Sequence, residues 1–167
     1  SWLEDMLDIL RVPIAPFLSG DPAQVPLSLA GYKAALSICY EIAFGEEVIT
    51  MLAQANFLIN VSNNAWFGDS SAPHQQLQMA RMRAQETGRY VVSATNDGVT
   101  AIINHRGEIL EQAPQFQAYV LTGTIMPRSG ATPYVLLGNY PVIISLMLLL
   151  GVMVYQARRA RLLAAGN

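Results

Sequence analysis

The feature that constrains this chain most is an uncharged run of 22 residues, Tyr134 to Tyr155. As an α-helix, a run of this length reaches roughly 33 Å, which is enough to cross the hydrocarbon core of a bilayer. Tyrosines lie at both of its ends, where aromatic rings favour the membrane interface, and Pro141 suits the start or a kink of the regular part. The alternative is a buried core helix, but core helices are rarely this long and this free of charge. The run therefore predicts a transmembrane helix over residues 133–156.

The composition agrees with a chain that contacts more than water. Only 13% of the 167 residues are charged and 52% are hydrophobic, whereas an ordinary soluble domain carries about twice that share of charge. The single cysteine, Cys39, excludes an internal disulfide. Cys39 and two distant histidines, His74 and His105, do not have the spacing of a metal site. We expect no metal, no cofactor and no nucleic-acid partner.

Charge is distributed unevenly about the apolar run. Three arginines follow it within residues 157–167, whereas the residues before Arg128 carry twelve acidic side chains and six basic ones. Basic residues in short flanks stay on the cytoplasmic side of a membrane. The asymmetry predicts a cytoplasmic basic tail over residues 157–167, with residues 1–130 on the opposite side of the membrane.

The first residues, "SWLEDMLDIL", contain neither an initial Met nor the basic-then-apolar pattern of a signal peptide. A segment upstream is therefore needed to export residues 1–130. We expect the chain to be the C-terminal part of a longer membrane protein, and the upstream part of that protein to be its partner.

Short apolar strands alternate with helical segments between residue 30 and residue 130. Residues 43–55 and the segment from Pro73 to about Thr87 read as helices, and Gly88 ends the second. The predicted strands are "AALSIC", "FLINVS", "YVVSAT", "VTAIIN", "EILEQA" and "AYVLTGTI". Residues 1–10 are weakly amphipathic. Strands interleaved with helices indicate an α/β layered domain.

Cys39 follows a predicted strand and precedes a helical segment. At such a turn the strand holds the side chain, and the N–H groups of Tyr40 and Glu41 point the same way, where they can stabilise an oxyanion. A lone buried cysteine is otherwise a small hydrophobic residue. The position therefore leaves two interpretations open, a nucleophile and a packing residue.

The local charges do not favour a thiolate. Glu41, Glu46 and Glu47 lie close in sequence and oppose ionisation of the thiol, which a helix N-terminus offsets only in part. Lys33 shares a strand face with Cys39 but lies about 20 Å away. A working thiolate would need a cation and a general base from elsewhere.

The order of several motifs resembles the nitrilase superfamily. "CYE" follows a strand, and "INVSNNAWFG", "QQLQMARMRAQETGRYVV" and "SATNDGVTAIINHRGEIL" come after it. The closer resemblance is to the apolipoprotein N-acyltransferase family, the membrane-embedded branch, in which "CYE", "AWFGD", "PHQ", "QMARMRA" and a terminal membrane helix with basic residues occur in this order. The resemblance implies the second half of a nitrilase-like αββα sandwich over residues 1–130, followed by one C-terminal transmembrane helix.

The resemblance also implies roles for particular residues. Cys39 would be the nucleophile, Tyr40 and Glu41 would shape the site beside it, and Trp66 and Phe67 would form a substrate-access loop at its mouth. The alternatives are a packing role for Tyr40, capping of helix amides by Glu41, and hydrophobic anchoring of the loop.

Two features depart from a complete site of that family. Its triad is Glu-Lys-Cys, and the Glu and Lys precede the cysteine by many tens of residues, so both are expected upstream of this chain. The chain alone is then expected to be inactive. Asn64 also stands where the family pattern has an Asp, so its role stays open.

The implied reaction transfers a fatty acyl group from a phospholipid to the N-terminal amine of the diacylglyceryl-cysteine of apolipoproteins, through a thioester on the cysteine. This is the final step of lipoprotein maturation. It implies a phospholipid donor, an apolipoprotein acceptor, and a bacterial inner-membrane location with the catalytic domain on the periplasmic side. The rival functions are a membrane-tethered amidohydrolase of the same superfamily and a noncatalytic lipid-binding or assembly module.

Overall fold

The structure, a computed structural model, describes residues 25–165. The expectation of an amphipathic segment over residues 1–10 lies outside them. The described strands form one mixed sheet of six strands in sequential order. They are β1 (Leu27–Leu29), β2 (Tyr32–Ile38), β3 (Phe57–Asn63), β4 (Val91–Asn96), β5 (Ala101–Ile103) and β6 (Ile109–Gln112).

The centre of the sheet is parallel and its margins are antiparallel. Strands β2, β3 and β4 run in the same direction, and the other three strands pair antiparallel. Each parallel connection contains a helix, α1 (Gly45–Met51) after β2 and α2 (Ala72–Thr87) after β3. Such connections bring the loops that follow parallel strands to one edge of the sheet, which is the usual place for a site in an open α/β sheet.

The main core lies between one face of the sheet and these helices. The strand register aligns Ala35, Leu58, Val91 and Ile103 across four strands. All four are buried in one cluster, together with Leu77, Ala80 and Ala84 of α2. Alanines on the inner side of α2 let the helix approach closely, so its N-terminal half is held firmly beside the end of β2. The predicted α/β class is confirmed.

The opposite face of the sheet is only partly covered. Ala34, Phe57 and Tyr90 form a small buried cluster there, whereas Ile38 and Val61, further along β2 and β3, are 57% and 37% exposed. Parallel strands normally have both faces covered. The second sheet of an αββα sandwich would meet that need, and within residues 25–165 it stays an expectation.

The predicted strand over residues 118–125 is wrong. This stretch has no regular secondary structure, although its apolar alternation fits a strand. Ile125 packs against the cluster of Ala34, Phe57 and Tyr90 instead. The segment thus uses its apolar side chains to cover the sheet, rather than its backbone to extend the ladder. The helix predicted over residues 43–55 is also shorter, because 3₁₀ turns at Cys39–Ala43 and Leu52–Gln54 flank α1.

The predicted span over residues 133–156 is divided into two helices, α3 (Pro133–Leu137) and α4 (Tyr140–Ala165). The break lies at Gly138, whose φ is 55°, and the next N–H, that of Asn139, donates to Glu46 Oε1 over 3.1 Å. At its other end, α4 continues through the arginines, which are good helix formers. The boundary at residue 156 is therefore a change from apolar to basic composition inside one helix.

Helix α4 has the length and composition of a membrane-spanning helix. Among the described helices it alone passes that test, over Tyr140–Arg159, with a mean hydropathy of 1.9 and no part of it buried. A core helix would bury its apolar side chains, so this exposure does not fit the core-helix alternative.

Candidate active site

The predicted site residues lie where the parallel strands end. Cys39 follows β2 directly, Asn64 follows β3, and Asn96 is the last residue of β4. The register pairs Ile38 with Val61 and Asn63 with Asn96, so the three strand ends are neighbours at one edge.

Cys39 has a left-handed backbone conformation, with a φ of 55°. For a residue with a side chain this costs about 1–2 kcal/mol. Ile38 before it is extended, and a 3₁₀ turn begins at Cys39 itself. This strand-to-helix turn, with a strained residue at its apex, is the geometry that exposes a nucleophile in other α/β enzymes. The side chain of Cys39 is half-buried.

Side chains from three elements hold the peptide groups on both sides of Cys39. The Ile38 N–H donates to Glu41 Oε2 over 2.6 Å. The Cys39 carbonyl oxygen accepts from Asn60 Nδ2 over 3.2 Å and from Gln76 Nε2 over 3.0 Å. These contacts offset the strain of the left-handed conformation.

Two of the three nearby carboxylates have backbone partners. Glu41 bonds the Ile38 N–H, and Glu46 bonds the N–H of Asn139 at the start of α4. Lys33 lies at the beginning of β2, the end remote from Cys39, and its Nζ donates to Gln54 Oε1 over 2.8 Å. The prediction that Lys33 is a poor partner for Cys39 is confirmed.

The aromatic residues at this edge point away from the core. Tyr40 is 59% exposed, and its ring meets that of Phe44 edge-to-face at 5.7 Å. Trp66 and Phe67 are 87% and 50% exposed on a 3₁₀ turn. These exposures do not fit core packing of Tyr40 or hydrophobic anchoring of the loop. The functional roles of the five predicted residues, from Cys39 to Phe67, stay predictions.

The backbone of the aromatic loop is nevertheless fixed. The Ala65 N–H donates to Asn63 Oδ1 over 3.1 Å, and the Phe67 N–H donates to the Asn64 carbonyl over 3.0 Å. The rings are therefore presented from a held turn.

Asn64 has a structural place. It is 1% exposed, and its N–H donates to Asn96 Oδ1 over 2.9 Å. Neither atom of its side-chain amide has a hydrogen-bond partner among the described residues. The amide lies against Gly98, where a Cβ atom would come within 2.4 Å of Asn64 Nδ2. Asn64 therefore joins the ends of β3 and β4 and requires a small residue at position 98.

This edge geometry has known counterparts. Residues 10–134 match the carbon-nitrogen hydrolase family. The chain belongs to that family. It is 53% identical to an apolipoprotein N-acyltransferase of Methylococcus capsulatus, over 83% of this chain and 27% of that protein. It is 52% identical to the one of Nitrosomonas europaea, over 87% of this chain and 30% of that protein.

The resemblance to apolipoprotein N-acyltransferases is thus confirmed, and the chain spans less than a third of the length of these relatives. The fold has a solved counterpart in a carbon-nitrogen hydrolase from Helicobacter pylori G27. That likeness has a TM-score of 0.51 at 18% identity, and it covers 58% of this chain and 41% of the other. It supports the carbon-nitrogen hydrolase fold alone.

The sequence interpretation of this carbon-nitrogen hydrolase chain missed Asn60, Ser62 and Gln76. Asn60 and Ser62 are polar residues inside an otherwise apolar strand, "FLINVS". A buried polar residue in such a strand needs partners, and that signal was present. Which partners it has cannot be read from β3 alone. Among residues 25–165, no three metal-binding side chains lie close enough together to hold an ion.

Proposed function

We propose that the chain is the nucleophile-bearing part of an enzyme that N-acylates apolipoproteins with a fatty acyl group taken from a phospholipid. One observation carries the proposal: a strained cysteine at the carboxyl edge of a carbon-nitrogen hydrolase sheet is joined in one chain to a fully exposed apolar helix. A soluble amidase has no need of such a helix, whereas an enzyme with lipid substrates has.

The reaction proceeds in two balanced steps. The Cys39 thiolate attacks the ester carbonyl of the phospholipid, the acyl C–O bond breaks, and a lysophospholipid leaves with a proton. The N-terminal amine of the diacylglyceryl-cysteine then attacks the thioester, the C–S bond breaks, and the thiol is regenerated as an amide forms. Backbone N–H groups of Tyr40 and Glu41 stabilise the oxyanion in both steps.

The general base and the cation come from upstream of this chain. Lys33 is bound elsewhere, and Glu41 is bound to the Ile38 N–H. We therefore assign the Glu and Lys of the triad to the part of the protein that this chain lacks.

The test is a covalent adduct. The intact protein incubated with phospholipid should carry a fatty acyl mass on the peptide that contains Cys39, removable by hydroxylamine and absent from Cys39→Ala. Mass spectrometry of the digested protein measures it. An acyl group on another residue would contradict the proposal, and release of free fatty acid alone would indicate a hydrolase.

The proposed location is the bacterial inner membrane, with residues 1–130 in the periplasm and the basic residues after α4 in the cytoplasm. We expect an impermeant thiol reagent added to spheroplasts to label Asp69→Cys but not Asn167→Cys, both in a Cys39→Ala background, because basic flanks are retained inside. Labelling at position 167 with silence at position 69 would reverse the orientation.

Trp66 and Phe67 are proposed to serve lipid access. Replacing both with Ala should slow acyl transfer markedly and change the unfolding free energy by no more than about 0.5 kcal/mol, as for other surface substitutions. Phe57→Ala is the matched control, because Phe57 is 7% exposed and its loss should cost about 3–5 kcal/mol. A large loss of stability in the double variant with normal activity would assign the two rings to packing instead.

A further inference from the structure

A closed ring of hydrogen bonds lies behind Cys39. Asn60 Nδ2 and Gln76 Nε2 both donate to the Cys39 carbonyl oxygen, over 3.2 Å and 3.0 Å. Ser62 Oγ joins the two amides, because it donates to Asn60 Oδ1 over 3.2 Å and accepts from Gln76 Nε2 over 2.6 Å. The ring therefore connects β3 and α2 to a single carbonyl group at the end of β2.

Asn60 has no packing reason to be polar. It is 0% exposed, in the middle of a central strand. Its Nδ2 also lies 3.0 Å from Ser37 Oγ and 3.3 Å from the Ser37 carbonyl oxygen. A buried amide is unfavourable unless it is hydrogen-bonded, and an aliphatic residue would fill the position without that requirement. Its bonds are all directed at the end of β2 and at Ser62, which points to a role in holding the turn.

The held carbonyl belongs to the same planar unit as the Tyr40 N–H. The described residues contain no cis peptide bond, and in a trans peptide the C=O and N–H groups point in opposite directions. Anchoring the Cys39 carbonyl to Asn60 and Gln76 therefore turns the Tyr40 N–H away from them. The same anchor prevents the rotation that would return Cys39 to an ordinary backbone conformation.

We propose that Asn60 and Gln76 are positioning residues, which hold Cys39 in its left-handed conformation and so orient its thiol and the Tyr40 N–H toward the acyl group. The inference rests on the proposed function in one respect, that Cys39 is the nucleophile. Neither residue is assigned any contact with the phospholipid or the acceptor.

Gln76→Met in the intact protein is the primary test, because it keeps the length of the side chain and removes its donors. Gln76 is half-buried on α2, and its neighbour Gln75 is exposed on the same helix, so Gln75→Met is the matched control. We expect the single-turnover rate constant for acylation of Cys39 to fall about tenfold, which corresponds to about 1.4 kcal/mol. The final acylated fraction should be unchanged, and Gln75→Met should behave as wild type.

Two further variants separate hydrogen bonding from bulk. Gln76→Glu keeps the shape and polarity but cannot donate when ionised, so it should be as slow as Gln76→Met. Asn60→Leu should also slow acylation. If it fails to fold, the Gln76 variants still decide the matter.

The readout distinguishes positioning from folding. A role in folding alone would lower the acylated fraction and leave the rate constant of the folded molecules unchanged, and that result would overturn the proposal. A wild-type rate constant in both Gln76 variants would overturn it as well.

A wild-type protein that acquires no acyl group would contradict the proposed function, and the inference would still be decided. The same samples would be alkylated with iodoacetamide and the Cys39 peptide followed over time. A rate constant that changes by at least about threefold in Gln76→Met, but not in Gln75→Met, would support positioning. Equal rates in all three proteins would overturn it.

Discussion

The 167-residue chain, purified in detergent without any other segment, should acquire no fatty acyl group on Cys39 under conditions that acylate the intact protein. Cys39 has a backbone suited to a nucleophile, but a thiolate also needs a base and a cation. Loss of a general base alone typically costs about 10²- to 10⁴-fold in rate. Mass spectrometry of the Cys39 peptide compares the two preparations.

Addition of the separately expressed upstream part should restore acylation, and this is the control for a folded but incomplete site. The restoration should fail with Cys39→Ala. If the chain alone is acylated at a rate near that of the intact protein, the base and the cation lie within it, and their assignment upstream is wrong.

Gly107→Ala should destabilise the intact protein by about 2–5 kcal/mol, the sum of a left-handed strain and an overpacking cost. Gly107 has a φ of 76°, and a Cβ atom there would lie 2.9 Å from the Arg81 carbonyl oxygen and 2.8 Å from Gln85 Cγ. The turn cannot move away easily. Arg81 Nε donates to the Gly107 carbonyl over 2.7 Å, and Gln85 Nε2 donates to that of Arg106 over 2.8 Å.

Gly31→Ala isolates the strain from the clash. Gly31 also has a positive φ, of 83°, but a Cβ atom there would meet nothing within 4 Å. We expect it to cost only about 1–2 kcal/mol. Thermal unfolding should therefore rank wild type above Gly31→Ala and Gly31→Ala above Gly107→Ala. Equal melting temperatures for the two variants would mean that the turn moves away from α2 to accommodate the methyl group.

The Gly107 turn bears on the site through α2. Arg81 and Gln85 join this helix to the hairpin between β5 and β6, and Gln76, nearer the start of the helix, reaches Cys39. A displaced hairpin would loosen the helix that holds the cysteine. We therefore expect Gly107→Ala to lower the acylated fraction of Cys39 through instability.

Strands and helices with strong local patterns were predictable. The β2 and β3 strands are continuous apolar runs, and α2 has Pro73 in its first turn and ends at Gly88. Residues 118–125 show where the pattern misleads, because alternation fits a strand equally well whether the segment pairs with the sheet or crosses its face. Only a neighbouring strand with free backbone groups decides between the two.

Composition and local periodicity by themselves determined the α/β class, the exposed apolar helix and the place of Cys39 at the end of a strand. These properties depend on residues that are near one another in sequence. Only the tertiary structure decided that Cys39 is left-handed and that Asn60 and Gln76 hold its carbonyl, from 21 and 37 positions away. The physical reason is that a strained backbone conformation is not preferred by its own residue. It persists because distant side chains, brought together by the packing of β3 and α2, bind the peptide group that would otherwise rotate.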